Sequence, residues 1–157
     1  VSARALVALR VAASQDRTFE AFTAEIGSWW RPNDLFRFTD VGGRLAFEPD
    51  PPTHLVEVAA DGSRFEVGQV RTWDPPKRLA VGWRQASFPP ELTTEVTVRF
   101  DPLDGGTLVT VEHVGWDAIP ADHVARHGFP LDVFQRRHAE WWQVLLGRLR
   151  TTLDGEG

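Results

Sequence analysis

The histidines are the only side chains in this chain whose unperturbed pKa lies near neutrality. Two of them stand where the apolar pattern points inward. His113 shares strand parity with Val109 and Val111, so it faces the same side as those valines at a strand end. His138 falls on the apolar side of a long helical stretch, one turn before Trp141 and Trp142. Two imidazoles turned into one cavity could hold the polar head of a ligand or do acid/base work. The plainer reading of each is a core or rim histidine satisfied by hydrogen bonds. A third possibility lies at His123 and His127, spaced i,i+4 beside Asp122, which could offer two ligands to a metal. That pair lacks the glutamate of H-E-x-x-H and a third ligand, so an exposed polar helix is the better reading.

Seven tryptophans and no tyrosine form the other unusual feature. Aromatic rings lining a cavity suit a flat or hydrophobic ligand, but they can equally fill a core, where each indole N–H needs a partner. The absence of cysteine excludes disulfides, thiolate metal sites and cysteine nucleophiles. No serine elbow, P-loop, dinucleotide-binding glycine run or paired-carboxylate arrangement is present. Asp74, Asp101 and Asp104 sit in turns, where such side chains cap backbone donors. Neither a cofactor nor a metal is expected. A net charge of −5 argues against nucleic acid as a partner. No run of 18 apolar residues would span a membrane, and a cytoplasmic location is the expectation.

The elements that must position these residues follow from periodicity. Residues 3–12 alternate, with Ala5, Val7, Leu9 and Val11 on one face of a strand. Ser14 is a fitting N-cap. Phe19, Phe22 and Ile26 then continue at helical spacing towards Trp29 and Trp30, and Gly27 and Pro32 divide this stretch into two short helices. Beyond Pro32 the pattern predicts strands at 35–39, 44–48, 54–59, 64–73, 78–85, 94–102 and 106–113. Asp61-Gly62 and Asp104-Gly105-Gly106 supply hairpin turns, and Pro75-Pro76 and Pro89-Pro90 interrupt pairing. Leu79, Val81 and Trp83 share a face, as do Val96, Val98 and Phe100; Arg84, Glu95 and Arg99 fall on the wet face. Gly68 marks a bulge, since parity changes between Val67 and Val70. A short helix is expected at 121–127. The final segment, 132–153, places Phe134, Trp141, Trp142, Leu145, Leu146, Leu149 and Leu153 on one helical face.

An antiparallel meander with one apolar face, followed by one apolar-striped helix, closes most simply by curling the sheet around that helix. This order of elements resembles the helix-grip fold of the START-like (SRPBCC, birch-pollen-allergen-like) superfamily. Within it the chain is similar to bacterial relatives of the activator of heat-shock protein 90 ATPase. The resemblance rests on Trp29-Trp30 after the first helix, Val41-Gly42-Gly43-Arg44, and Gly68-Gln69-Val70 followed by Trp73-Asp74-Pro75-Pro76-Lys77-Arg78-Leu79. It continues through the run from Thr94 to Phe100 and the run from Gly105 to His113. It implies a single α+β domain over residues 1–157: a curved antiparallel sheet of six to seven strands around a long C-terminal helix, with two short helices after strand one. Relatives often open the final helix with Gly-Trp; here Trp141-Trp142 stands in that place, which should shrink or reshape a cavity.

The expected function is non-catalytic binding of a small hydrophobic or aromatic molecule between the final helix and the sheet. From the sheet the lining would be Phe36, Phe47, Phe65, Val81, Trp83, Val98, Val111 and His113. From the helices it would be Trp30, Phe134, His138, Trp141 and Leu145. Two alternatives stay open: a surface that engages a protein partner in the manner of a chaperone activator, and a polyketide-cyclase-like enzyme using His113 or His138.

Overall fold

The computed structural model describes residues 4–31, 38–39, 42–48, 52–89, 91–120 and 122–154. Strand β1 (Arg4–Val11) leads through α1 (Gln15–Thr23) and α2 (Ile26–Trp29) into six further strands. These are β2 (Arg44–Glu48), β3 (His54–Val58), β4 (Arg64–Asp74), β5 (Arg78–Trp83), β6 (Thr94–Leu103) and β7 (Gly106–Val114). Helix α3 (Leu131–Asp154) closes the chain. Ser14 caps α1 as expected, its Oγ accepting the Arg17 amide at 3.2 Å.

The sheet has seven strands in the order β1-β7-β6-β5-β4-β3-β2, every pairing antiparallel. Its curvature has a local cause in β4. Pairing with β3 passes from Leu55↔Gly68 to Val56↔Glu66, leaving Val67 as an extra residue. Pairing with β5 passes from Val70↔Val81 to Thr72↔Ala80, leaving Arg71 as a second. An extra residue bends its strand and increases the local twist, so two in one strand coil the sheet. Gly68 is required at the bend: a Cβ there would lie 1.9 Å from the Gly82 carbonyl oxygen.

Register then stacks the inner face into rows. Val7, Val111, Val98 and Leu79 are successive partners across β1, β7, β6 and β5, and all are buried. The next row is Ala5, His113, Val96 and Val81. Against these rows α3 lays Phe134, His138, Trp141, Trp142, Leu145, Leu146, Leu149 and Leu153, all buried. It lies closest along β1, so the β1–β7–β6 side of the sheet receives the helix most fully.

Two expectations change, and a third lies mainly outside the described residues. The strand at 35–39 falls mainly outside the described residues, and Phe38 and Thr39 form a bend. The helix at 121–127 is a single 3-10 turn, Val124–Arg126. His123 Nδ1 accepts the Ala125 amide there at 3.0 Å, and His127 sits in the left-handed region at φ 52°. The i,i+4 spacing of these histidines therefore never becomes one helical face. Among the described residues no cluster of three or more metal-ligating side chains forms.

Candidate functional site

The hydrogen bonds of the inner face begin at Trp142, whose indole N–H can only donate. It reaches His113 Nδ1 at 3.3 Å. Nδ1 is therefore the bare nitrogen, and the ring carries its proton on Nε2. That Nε2–H donates to Thr94 Oγ1 at 2.6 Å, and the Thr94 hydroxyl donates in turn to the Trp83 carbonyl at 2.5 Å. His138 Nε2 lies 2.8 Å from the same Nδ1, so it too carries the proton of a neutral ring. The sheet register explains the meeting: Thr94 pairs with Trp83, two residues before Val96, whose partner is His113.

Both imidazoles are completely enclosed, at 0% and 1% exposure for His113 and His138. Burial pushes His113 well below the ordinary value of 6.5, with His138 adding to the effect. Burial lowers His138 to about 3. At neutral pH the pair is uncharged, which is what its bonding pattern requires. The chain of bonds ends on a peptide carbonyl, a group that accepts a hydrogen bond and passes no proton on.

Aromatic rings close around this pair. Trp116 lies 5.5 Å from His113, 5.2 Å from His138 and 4.7 Å from Phe134, between ring centroids. Trp83 meets Trp142 at 5.5 Å, Trp30 meets Trp141 edge-on at 5.4 Å, and Phe38 stacks on Trp30 at 5.0 Å. Offset and edge-on pairs at these separations contribute about 0.5–1.5 kcal/mol each beyond their burial. The rule that every buried indole finds a partner holds for Trp29, bonded to the Ala21 carbonyl at 2.9 Å, and for Trp142. It does not hold for Trp30 and Trp116, whose Nε1 atoms have no hydrogen-bond partner among the described residues.

The other end of the inner face has a different character. Leu45, Glu57 and Phe65 are successive partners across β2, β3 and β4, and Phe47, Leu55 and Gly68 form the neighbouring row. Leu45 and Leu55 are buried, whereas Phe47 and Phe65 are only half-buried. Between them stands a carboxylate, Glu57, only 2% exposed. The Thr39 hydroxyl accepts the Gly42 amide at 3.1 Å and donates to Glu57 Oε1 at 2.6 Å. Oε2 has no hydrogen-bond partner among the described residues. Burial raises the Glu57 pKa above its ordinary 4.5, and the Thr39 bond offsets part of that rise. Thr39, Glu57 and Phe65 line a cavity of about 140 Å³ together with Ala59, Ser63 and Arg64.

Arg84 departs from its expected place on the wet face. Its guanidinium carbon lies 5.7 Å from the centre of the Phe65 ring, and Nη2 donates to the Phe88 carbonyl at 3.0 Å. β5 ends at Trp83, so strand parity no longer governs the next residue.

A sequence profile of the family described as Activator of Hsp90 ATPase homolog 1-like protein matches residues 12–154. The chain belongs to that family. Among solved structures, CalC, a self-sacrificing resistance protein from Micromonospora echinospora, is 26% identical with a TM-score of 0.66, over 98% of this chain and 96% of that one. Protein MLL2253 from Mesorhizobium loti is 22% identical with a TM-score of 0.61, over 98% of both chains. An Hsp90 activator from Plasmodium falciparum is 19% identical with a TM-score of 0.60, over 96% of both. No protein of curated function matches the chain.

Within this member of the Hsp90 ATPase activator homolog 1-like family, the residues expected to line a cavity divide into two groups. Trp30, Trp83, His113, Phe134, His138 and Trp141 join one ring cluster. Val81, Val98, Val111 and Leu145 are buried beside it. Phe47 stands apart near Trp73, at 5.7 Å, and Phe65 lies under Arg84. Phe36 lies outside the described residues. The expected lining omitted Thr94, Trp116, Trp142 and Glu57. Glu57 had a signal: it shares the parity of Leu55 in its strand, a charged residue in apolar phase. Thr94 had a weaker one, opening a strand in phase with Val96 and Val98.

Proposed function

We propose that the protein binds a small hydrophobic or aromatic molecule, without catalysing a reaction on it, on the inner face of the sheet at its β2–β4 end. The observation that carries this reading is the incomplete burial of Phe47 and Phe65, beside an enclosed carboxyl group, on a face otherwise closed by aromatic packing. Large apolar side chains with a few placed polar groups are the usual makeup of a ligand site. Covering the exposed part of two phenyl rings, each at most about a third exposed, would contribute up to about 1 kcal/mol each. The helix-grip scaffold supports a ligand-binding module, and its members differ in what they hold.

Two other readings receive less support. The Hsp90 activator among the relatives suggests a protein partner. The charged sheet face on which such contact would rest loses Arg84 to the Phe65 ring, and Glu95 is engaged by Arg71 at 3.5 Å. A polyketide-cyclase-like reaction would call on His113 or His138, yet their bonds run into the Trp83 carbonyl.

The test is a thermal-shift and intrinsic tryptophan fluorescence screen against aromatic compounds and lipids. A stabilising compound should raise the melting temperature with the logarithm of its concentration above Kd, and Phe65→Ala should weaken that shift. A screen in which no compound stabilises the protein removes the reading.

A further inference from the structure

Resting on the reading above, we propose that Glu57 is the recognition group of the site and that its ligand is a small monocyclic amine, whose nitrogen donates to Oε2. Four observations lead there. The carboxyl is enclosed at 2% exposure, yet Oε2 has no hydrogen-bond partner among the described residues. A buried oxygen left in that state destabilises the fold, and a donor arriving with the ligand removes that penalty. Thr39 already donates to Oε1 and is itself held by the Gly42 amide, so the carboxyl is oriented with Oε2 as the remaining acceptor.

The second observation is the cavity itself, of about 140 Å³, which Glu57 and Phe65 both line. A cavity of roughly 150 Å³ takes a benzene ring, so one ring with a short arm fits and a fused polycycle does not. Third, among the described residues the one basic side chain lining this cavity is Arg64, which is taken up by Glu48 in an ion pair. Among the described residues, no lining side chain therefore supplies a counter-charge to Glu57. Fourth, the Phe65 ring already lies beneath one cation, the Arg84 guanidinium, so this aromatic wall accepts positive charge nearby. An ammonium group is the donor that restores both the missing hydrogen bond and the missing charge, and charge-assisted bonds are roughly twice as strong as neutral ones.

The experiment titrates the protein with benzylamine, benzyl alcohol and toluene by calorimetry, using the native chain and Glu57→Gln. The native protein should bind benzylamine about tenfold more tightly than either of the others, equivalent to one charge-assisted bond. In Glu57→Gln that preference should fall to within about twofold. Equal affinity for benzylamine and toluene in the native protein overturns the inference while leaving the ring-binding reading standing. Failure of all three to bind overturns both. A preference that survives Glu57→Gln also overturns the assignment to Glu57. Carbon-13 spectra of the native protein give a readout free of any folding defect in the variant. The Glu57 carboxyl resonance should move with benzylamine and stay in place with toluene; a resonance unmoved by benzylamine overturns the assignment.

Discussion

The two ends of the inner face are built from the same kinds of residue and behave as opposites. At the β6–β7 end, His113, His138, Thr94 and Trp142 form a neutral network bonded from indole to peptide carbonyl, sealed by rings. At the β2–β4 end, Glu57 keeps one oxygen without a partner among the described residues, beside phenyl rings only half covered. The difference follows from where α3 lies. The helix runs closest to β1, so its two tryptophans complete the core on that side. Under the helix the imidazoles, Thr94 and Trp142 are bonded to one another, although Trp30 and Trp116 keep Nε1 atoms without a partner among the described residues; a carboxyl beside a cavity can be left for a ligand to complete. Aromatic content alone therefore does not mark a binding site. Incomplete satisfaction of a polar group that also lines a cavity does.

The contrast makes its largest demand on Trp142. Trp142→Ala removes a fully buried ring and the donor to His113, and should cost about 3–5 kcal/mol by denaturant unfolding. A loss below about 1 kcal/mol would mean that this end is not the packed one.

Acid should separate the two ends next. Histidines held below 6.5 in the folded state contribute stability that is present above pH 6.5 and lost as pH falls, for His138 down to about 3. At pH 5, which is about 1.5 below the unfolded value and still above the folded value of about 3, His138 has lost about 2 kcal/mol of its contribution, and His113 loses in the same direction. Glu57 has the opposite sign: its folded pKa is raised above 4.5, so its contribution is present below that value and lost as pH rises through the folded one. Unfolding curves from pH 7 to pH 4 should show a steep net decline, and replacing His138 by Gln should flatten it. An unchanged slope in that variant would mean that the histidine is not buried in its neutral form.

The smallest stability effect belongs to the β2–β4 end. Phe65→Ala removes a partly buried ring and should cost about 1–2.5 kcal/mol, while ligand-induced stabilisation declines. If its cost matched that of Trp142→Ala, the two ends would be energetically alike and the proposed opening would be gone.

Much of the fold was legible. The strands from β2 to β7 lie within a residue or two of the alternating runs, and α3 spans Leu131–Asp154 where the apolar stripe spans 132–153. Alternation and helical period are properties of neighbouring residues, so a single sequence displays them. His113 and His138 were expected to face one space, and they meet at 2.8 Å. Arg84 was misplaced because parity stops being informative once a strand ends. The supposed helix at His123 and His127 failed for a related reason: spacing matters only where a helix exists, and the chain there makes one 3-10 turn.

What the sequence determined by itself was which residues face inward, because the alternation of strands and the stripe of α3 are local patterns. Only the tertiary structure decided which inward residues would be finished. Whether an indole reaches an imidazole, or a carboxylate oxygen meets no donor, depends on the register across four strands and on the line α3 takes along β1. Those relations join residues dozens of positions apart: Trp142 bonds His113, while Glu57 and Phe65 face one another across the β3–β4 register. Glu57 carries a charge in apolar phase, but that its Oε2 has no partner among the described residues became evident only in the tertiary structure.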